Sequence, residues 1–300
     1  YPMHILKGYT KQEISWMMYD WANSAHSVII VTLLPIFFDT VAGYTADSVS
    51  SMSTWGYATS IAMLIVALAA PFLGVFGDIR GMRKKLFSFF MLLGVAACAG
   101  MAFTPGMDFT SGPVAAGKVA SLILVLYIVS VIGFDASAIY YDAFLTDVTI
   151  EDRMDKVSTM GYGLGYIGGS TIPLLIFLIM NLVGVPMLTC LAFVFGLTAV
   201  WWLAFSLPLL KNCEQTSGKP YEKGDVARSI KGVGTTIKEI IANKPMLIYI
   251  LSYFFYIDGV HTVISMATTY GTNLGLDSTG MMLALLLVQI LGLPFCLLYI

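Results

Sequence analysis

The feature that most constrains this chain is a set of eight apolar runs, each about as long as a bilayer is thick. They cover residues 16–38, 55–76, 86–103, 119–141, 161–181, 187–207, 246–267 and 280–300. At a rise of about 1.5 Å per residue, roughly 20 residues in a helix cross a hydrocarbon core of about 30 Å. Lipid offers the backbone no hydrogen-bond partners, so runs of this length must close their bonds internally, as helices. A soluble helical core would need polar outer faces, which these runs lack. Only 11% of the residues are charged, against about 25% in soluble domains. The chain is therefore an all-α integral membrane protein.

The placement of charge sets the expected orientation. With the amino terminus in the cytoplasm, the inner loops hold Lys7, Lys11, Arg80, Arg83, Lys84, Lys85, Arg153, Lys156, Lys211, Lys219, Lys223, Arg228, Lys231, Lys238 and Lys244, and only Lys118 lies outside. That asymmetry satisfies the positive-inside rule. Basic residues scattered over short inner loops read as topology anchors near anionic lipid, not as a nucleic-acid surface. Cys98, Cys190, Cys213 and Cys296 show no paired spacing, so neither a disulfide framework nor a zinc site is indicated. The polar start, 1–15, leads directly into a full-length span without a cleavable signal sequence. The chain starts without Met and stops inside an apolar run, and both ends are expected to be trimmed.

Between the sixth and seventh spans lies the longest polar stretch, 211–244. Val226, Ile230, Val233, Ile237 and Ile241 recur there at helical spacing, with Arg228, Lys231 and Lys238 between them. This pattern predicts a basic amphipathic helix on the inner membrane surface, set off from the seventh span by Pro245. Three regions follow: a six-helix bundle over 1–210, a linker over 211–245, and the start of a second bundle over 246–300. A short internal echo supports the division. His26-Ser27-Val28-Ile29 in the first span matches His261-Thr262-Val263-Ile264 in the seventh, each after an acid, Asp20 or Asp258. The following span in each half carries a Pro-Phe pair, Pro71-Phe72 and Pro294-Phe295. Such parallel halves predict twelve helices (6+6), of which eight are present, with a second and weaker Gly/Asp signature further on.

Acids inside spans are costly and face a bundle interior or a watery cavity. Here they are Asp20 in the first span, Asp135 and Asp142 in the fourth and Asp258 in the seventh, with His26 and His261 beside them. One helix in three is polar, as expected if the first helices of three-helix repeats line a central pathway. Asp20, Asn23, Ser24 and Ser27 step along one face of their helix, Asp135 and Asp142 lie two turns apart, and Asp258 and His261 lie one turn apart. No Lys or Arg inside a span can neutralise these carboxylates, which makes them candidate proton carriers. Asp258 lies close to the midplane and is the first candidate, with Asp135 second. Asp20, Asn23, Asp135, Asp258 and His261 are expected to share one central cavity.

Two further motifs stand out. GVFGDIRGMRKK (74–85) joins the second and third spans. Gly74 and Gly77 there permit close helix approach, Gly81 permits a tight turn, and Asp78 can meet Arg83 and Lys85 in a charge cluster that breaks as the halves rock. Asp78→Asn is expected to slow transport more than it harms folding. In the fifth span Gly161, Gly165, Gly168 and Gly169 line one face, a pattern of close helix packing.

GVFGDIRGMRKK resembles the loop signature of the major facilitator superfamily, G-x-L-A-D-R-x-G-R-R-x-K, at Gly74, Asp78, Gly81, Arg83 and Lys85, with Ile79 and Met82 where basic residues are usual. More narrowly, WMMYDWANSAHS (16–27), YYDAFLTDVT (140–149), VSTMGYGLGYIGG (157–169) and FFYIDGVHTVISMA (254–267) resemble the vacuolar amino-acid effluxer-like subfamily, named for an autophagy-related yeast protein. That subfamily usually has Asn at Asp142 and Pro at Thr146. The resemblance implies a major facilitator fold, alternating access and efflux of small amino acid-like solutes, by an antiporter of the bacterial cell membrane or of a vacuolar membrane. The expected partners are a small solute, protons and lipid, with no cofactor and the chain acting as a monomer. No GxxxxGK[ST] loop is present, which fits secondary transport, and no HExxH or GxSxG pattern suggests an enzyme. The rival reading is a receptor or scaffold that keeps the fold without transport.

Overall fold

The apolar runs become helices because each can bond its backbone only to itself, and the pattern of small residues then decides how closely they pack. The computed structural model describes residues 6–45, 51–220 and 224–299. Its helices are α1 (Lys11–Ala42), α2 (Ser51–Gly77), α3 (Arg83–Met101), α4 (Pro113–Val148), α5 (Met154–Gly165), α6 (Ile172–Leu182), α7 (Met187–Asn212), α8 (Asp225–Ala242), α9 (Lys244–Asn273) and α10 (Ser278–Tyr299). A π-helical turn, Tyr166–Thr171, joins α5 to α6, so these two make one span. Pro173 explains the widened turn: it has no N–H to give to the preceding turn. Among the described residues eight helical stretches are long and apolar enough to cross a membrane.

Helix α1 lies at the centre and packs against α4, α5 and α7, while α3 wedges between α4 and α7. Helix α2 leans on α4, α9 reaches α1 and α2, and α10 reaches α5 and the π turn. Helices α3 and α4 cross backbone against backbone. A Cβ added to Gly133 would lie 2.5 Å from Gly94 N and 2.8 Å from Phe90 O. These two backbones touch, as small residues allow in membrane helices. The Trp202 ring of α7 closes over Gly94 from the third side. Outward-facing Leu64, Leu68, Leu182 and Val200 stay exposed, an apolar surface suited to lipid.

The amphipathic linker helix is α8, separated from α9 only by Asn243, whose side chain accepts from Met246 N at 3.3 Å. Ile237 and Ile241 on it are exposed. Lys223 lies outside the described residues, as do the side chains of Val226, Arg228 and Ile230 and the last residue of the eighth run, Ile300.

The α3–α4 crossing predicts that Gly133→Ala destabilises the protein in detergent by about 1–3 kcal/mol, because neither backbone can give way. Gly117→Ala, in the same helix with nothing within 4 Å of the new methyl, should leave the unfolding temperature unchanged. Thermal unfolding of both variants checks this.

Candidate functional site

The polar residues of α1 point into the contact between α1, α4 and α5. Asp20 is 7% exposed and its Oδ2 accepts from the Tyr141 hydroxyl at 2.7 Å. Tyr141 is fixed from behind: its ring stacks on Trp16 at 4.3 Å, and its carbonyl accepts from Trp16 Nε1 at 2.9 Å. Tyr19 shares a hydrogen with Ser137 at 2.8 Å and accepts from Trp202 Nε1 at 3.3 Å. His26 lies one turn beyond Asn23, flat against Phe134 and 3.2 Å from Ser130 Oγ through Nε2. Ser130 gives its own proton to the Tyr127 carbonyl at 2.8 Å. It therefore accepts from His26, and a neutral His26 carries its proton on Nε2, leaving Nδ1 buried without a partner.

On α4, Asp135 is half-buried, with Oδ2 sealed off and unpartnered, while Asp142 is exposed and within electrostatic reach of Asp20. Asp258 and His261 on α9 are exposed. The structure thus joins Asp20 to Tyr141 of α4 directly, while among the described residues no bond links Asp258 or His261 to either.

The glycine face of α5 brings α1 this close. A Cβ on Gly161 would strike Asp20 Oδ2, one on Gly165 would lie 2.5 Å from Ser24 Oγ, and one on Gly168 would enter the Trp21 ring. A Cβ on Gly169 would lie 2.8 Å from that of Ser24. The four glycines are the surface against which the Asp20 stripe is pressed.

A second polar network closes the end of the bundle that carries the α2–α3 loop. Arg83 is 4% exposed. It pairs with Asp147 of α4 and donates to Ala143 O at 3.0 Å and Ser217 Oγ at 3.1 Å, with its guanidinium over the Phe144 ring. The other oxygen of Asp147 caps the segment after α7, accepting from Thr216 N at 3.1 Å, Thr216 Oγ1 at 2.9 Å and Ser217 N at 2.8 Å. Gln215 clasps the loop itself: Oε1 accepts from Gly81 N at 2.8 Å, and Nε2 donates to Gly77 O at 3.0 Å. Arg80 and Lys219 complete the join through paired backbone bonds, Arg80 N to Lys219 O at 3.0 Å and Lys219 N to Asp78 O at 3.1 Å. Gly218 can sit here only as glycine, with φ +112° and Asp78 O 2.8 Å from where a Cβ would stand. Gly81, at φ +81°, makes the tight turn.

Asp78 lies 3.9 Å from Arg83 with its carboxylate 83% exposed, and Lys85 is also exposed. Close approach occurs at Gly77, against Tyr140 at 3.0 Å, and not at Gly74, where a Cβ would meet nothing within 4 Å. A third cluster, Glu13 held by Arg153 through two bonds of 2.9 Å and by Thr149 at 2.7 Å, fastens the start of α1 to the segment after α4.

Comparison with known proteins gives this geometry a family. The model of a family described as vacuole effluxer Atg22 like matches residues 40–152 and 146–295. An uncharacterised MFS-type transporter, YxiO of Bacillus subtilis, is 39% identical over 303 residues, which cover 98% of this chain and 68% of that protein. The chain belongs to the Atg22-like family of major facilitator transporters. Two fungal autophagy-related proteins 22-1, from Penicillium rubens and Sclerotinia sclerotiorum, are each 26% identical, over 49% and 38% of this chain. The aligned parts span only 27% and 22% of those fungal proteins.

In this Atg22-like chain the sequence points to Asp78 and Arg83 but not to Asp147, Gln215 or Tyr141, which hold the site in shape. Asp147 lies in the TDVT run at the end of a long apolar helix, a placement that could have flagged it as a buried partner for Arg83. The two acids should behave differently on mutation. An exposed pair contributes about 0–1 kcal/mol, whereas removing one member of a buried pair costs about 3–5 kcal/mol. Asp147→Ala should therefore free the segment after α7 and speed tryptic cleavage after Lys211 many times, and Asp78→Ala should barely change the cleavage rate. Limited proteolysis in detergent measures both.

Proposed function

We propose that this transporter moves a small, amino acid-like solute by alternating access, coupled to protons, in the efflux direction. The reading places it in a cell membrane with the amino terminus cytoplasmic, the Asp20 stripe and the α4 acids facing the solute path, and Asp258 as the principal proton carrier. The observation that carries it is the contrast between the two kinds of acid. Asp147 and Glu13 are paired with arginine. Among the described residues Asp20, Asp135, Asp142 and Asp258 form no ion pair. A carboxylate kept without a counter-ion inside a membrane protein marks a path for protons or solute, and four of them on α1, α4 and α9 follow the one-in-three helix order of a major facilitator pathway. Asp258 lies near the middle of α9, where a proton could be taken up or released as the surroundings alternate between wet and dry. No nucleotide is needed for such a cycle.

The test is Asp258→Asn in proteoliposomes loaded with candidate amino acids. Uphill transport driven by an imposed pH difference should vanish, while exchange of labelled for unlabelled solute across the same vesicles continues. Uphill transport that survives the substitution rules out Asp258 as the carrier, and loss of exchange as well assigns it to solute binding instead.

A further inference from the structure

Asn23 makes no side-chain hydrogen bond, although it is only 7% exposed. An amide this deeply placed without a protein partner forgoes the hydrogen bonds that would stabilise it. Its amide atoms are nevertheless not sealed: the fully enclosed, unpartnered atoms of the described residues include His26 Nδ1 and Asp135 Oδ2 but neither amide atom of Asn23. Asp20 stands one turn earlier on the same face of α1. Its Oδ2 is taken by Tyr141, whereas Oδ1 has no partner and is likewise not sealed. A free carboxylate oxygen and a free amide thus lie one turn apart on the same face of α1.

The surroundings select the charge of what could enter. Asp142 adds a second negative charge within reach of Asp20, and Tyr162 lies within reach of both acids. Two arginines that could neutralise these acids are committed elsewhere, Arg153 to Glu13 and Arg83 to Asp147. The Trp16, Tyr19 and Tyr141 rings crowd around the carboxylate, with Tyr19 and Tyr141 centred 4.8 Å apart. Carboxylate and amide carbonyl together suit an organic ammonium group, which forms charge-assisted hydrogen bonds. The negative charges of Asp20 and Asp142 disfavour an anion at this point. No group of three or more His, Cys, Asp or Glu ligands able to hold a metal occurs among the described residues.

We infer that Asp20 and Asn23 form the subsite that holds the ammonium group of the transported solute, so that the solute is recognised by its amine and not by its carboxylate. This rests on the transport reading above and sharpens it. The proton and the ammonium have separate acids: Asp258 on α9 for the first, Asp20 on α1 for the second. Tyr141 is a positioning residue, holding one carboxylate oxygen and leaving the other free for the ammonium.

Thiol labelling tests the subsite whatever the solute is. Cys98, Cys190 and Cys213 are buried and Cys296 is half-buried, so a Cys296→Ser background leaves no accessible native thiol. In that background Asn23→Cys is reacted in detergent with aminoethyl and with sulfonatoethyl methanethiosulfonate, each rate normalised to a free thiol. The ammonium reagent should be favoured on the order of tenfold, since a few kcal/mol of attraction at partly shielded sites is ample for that ratio. Adding Asp20→Asn should remove most of the preference. Equal rates for the two reagents, a preference that survives Asp20→Asn, or no labelling by either overturns the subsite.

A second readout keeps Asn23 in place. Isopentylamine should raise the unfolding temperature of the otherwise native protein and 4-methylpentanoate should not, and the amine effect should be lost in Asp20→Asn. A shift by the carboxylate alone, or by neither compound, also overturns it. Neither readout depends on flux, so failure here with intact pH-driven transport removes the ammonium subsite alone, whereas loss of uphill transport with selective labelling removes the coupling scheme alone.

Discussion

Everything in this fold follows from the high cost of an unpaired charge in a place that excludes water. Where the chain can meet that cost with a partner, it does. The side chains of Arg83 and Asp147 are both buried, and between them they engage Ala143, Ser217 and Thr216. Glu13 is 1% exposed and takes bonds from Arg153, Thr149 and Thr10. Both clusters join elements far apart in sequence, and both lie where helices turn into loops. In the middle of the helices the same rule is left unsatisfied. Asp135 keeps a sealed oxygen with no partner, and His26 a sealed ring nitrogen. A protein selected for stability alone would have replaced such groups with leucine, so their presence points to a use.

The two regions are mechanically linked through α1 and α4. Helix α4 carries Asp135 and Asp142 within its length and Asp147 near its end. A movement that loosens Asp147 from the segment after α7 therefore also moves the acids along the same rod. Helix α1 is tied at its start by Glu13 and pressed along its length on the glycines of α5, so Asp20 has little freedom of its own. The π turn Tyr166–Thr171 interrupts this stiff contact, at the level where the Trp21 ring covers Gly168. Widened turns of this type are adjustable points in otherwise rigid helices.

Much of this is legible in the residues, for physical reasons that differ from element to element. The eight spans can be read because lipid permits one backbone solution, and the α5 glycines because a row of missing side chains has few other meanings. The amphipathic stretch over 225–242 declares itself by its period. Less visible is the choice of partner. Asp78 belongs to a familiar signature, yet the buried contact of Arg83 is Asp147, more than sixty positions away, and nothing local in the sequence pairs them. Gln215 and Gly218 look like ordinary linker residues because their role depends on docking against the α2–α3 loop. Asn23 belongs visibly to a polar stripe, but that its amide has no partner is a fact only of the packed helices.

The central claim is that the mid-helix acids are retained for function at a cost to stability, while those at the helix ends hold the structure together. The direct measurement is the thermal unfolding temperature of Asp135→Asn beside Asp147→Asn in the same detergent. The account predicts that Asp135→Asn unfolds at the same temperature as the native protein or higher, because a neutral amide removes a charge that nothing balances. Asp147→Asn should unfold clearly lower, because it leaves Arg83 buried and alone. Equal destabilisation by the two substitutions would show that Asp135 is a structural residue and would contradict the account.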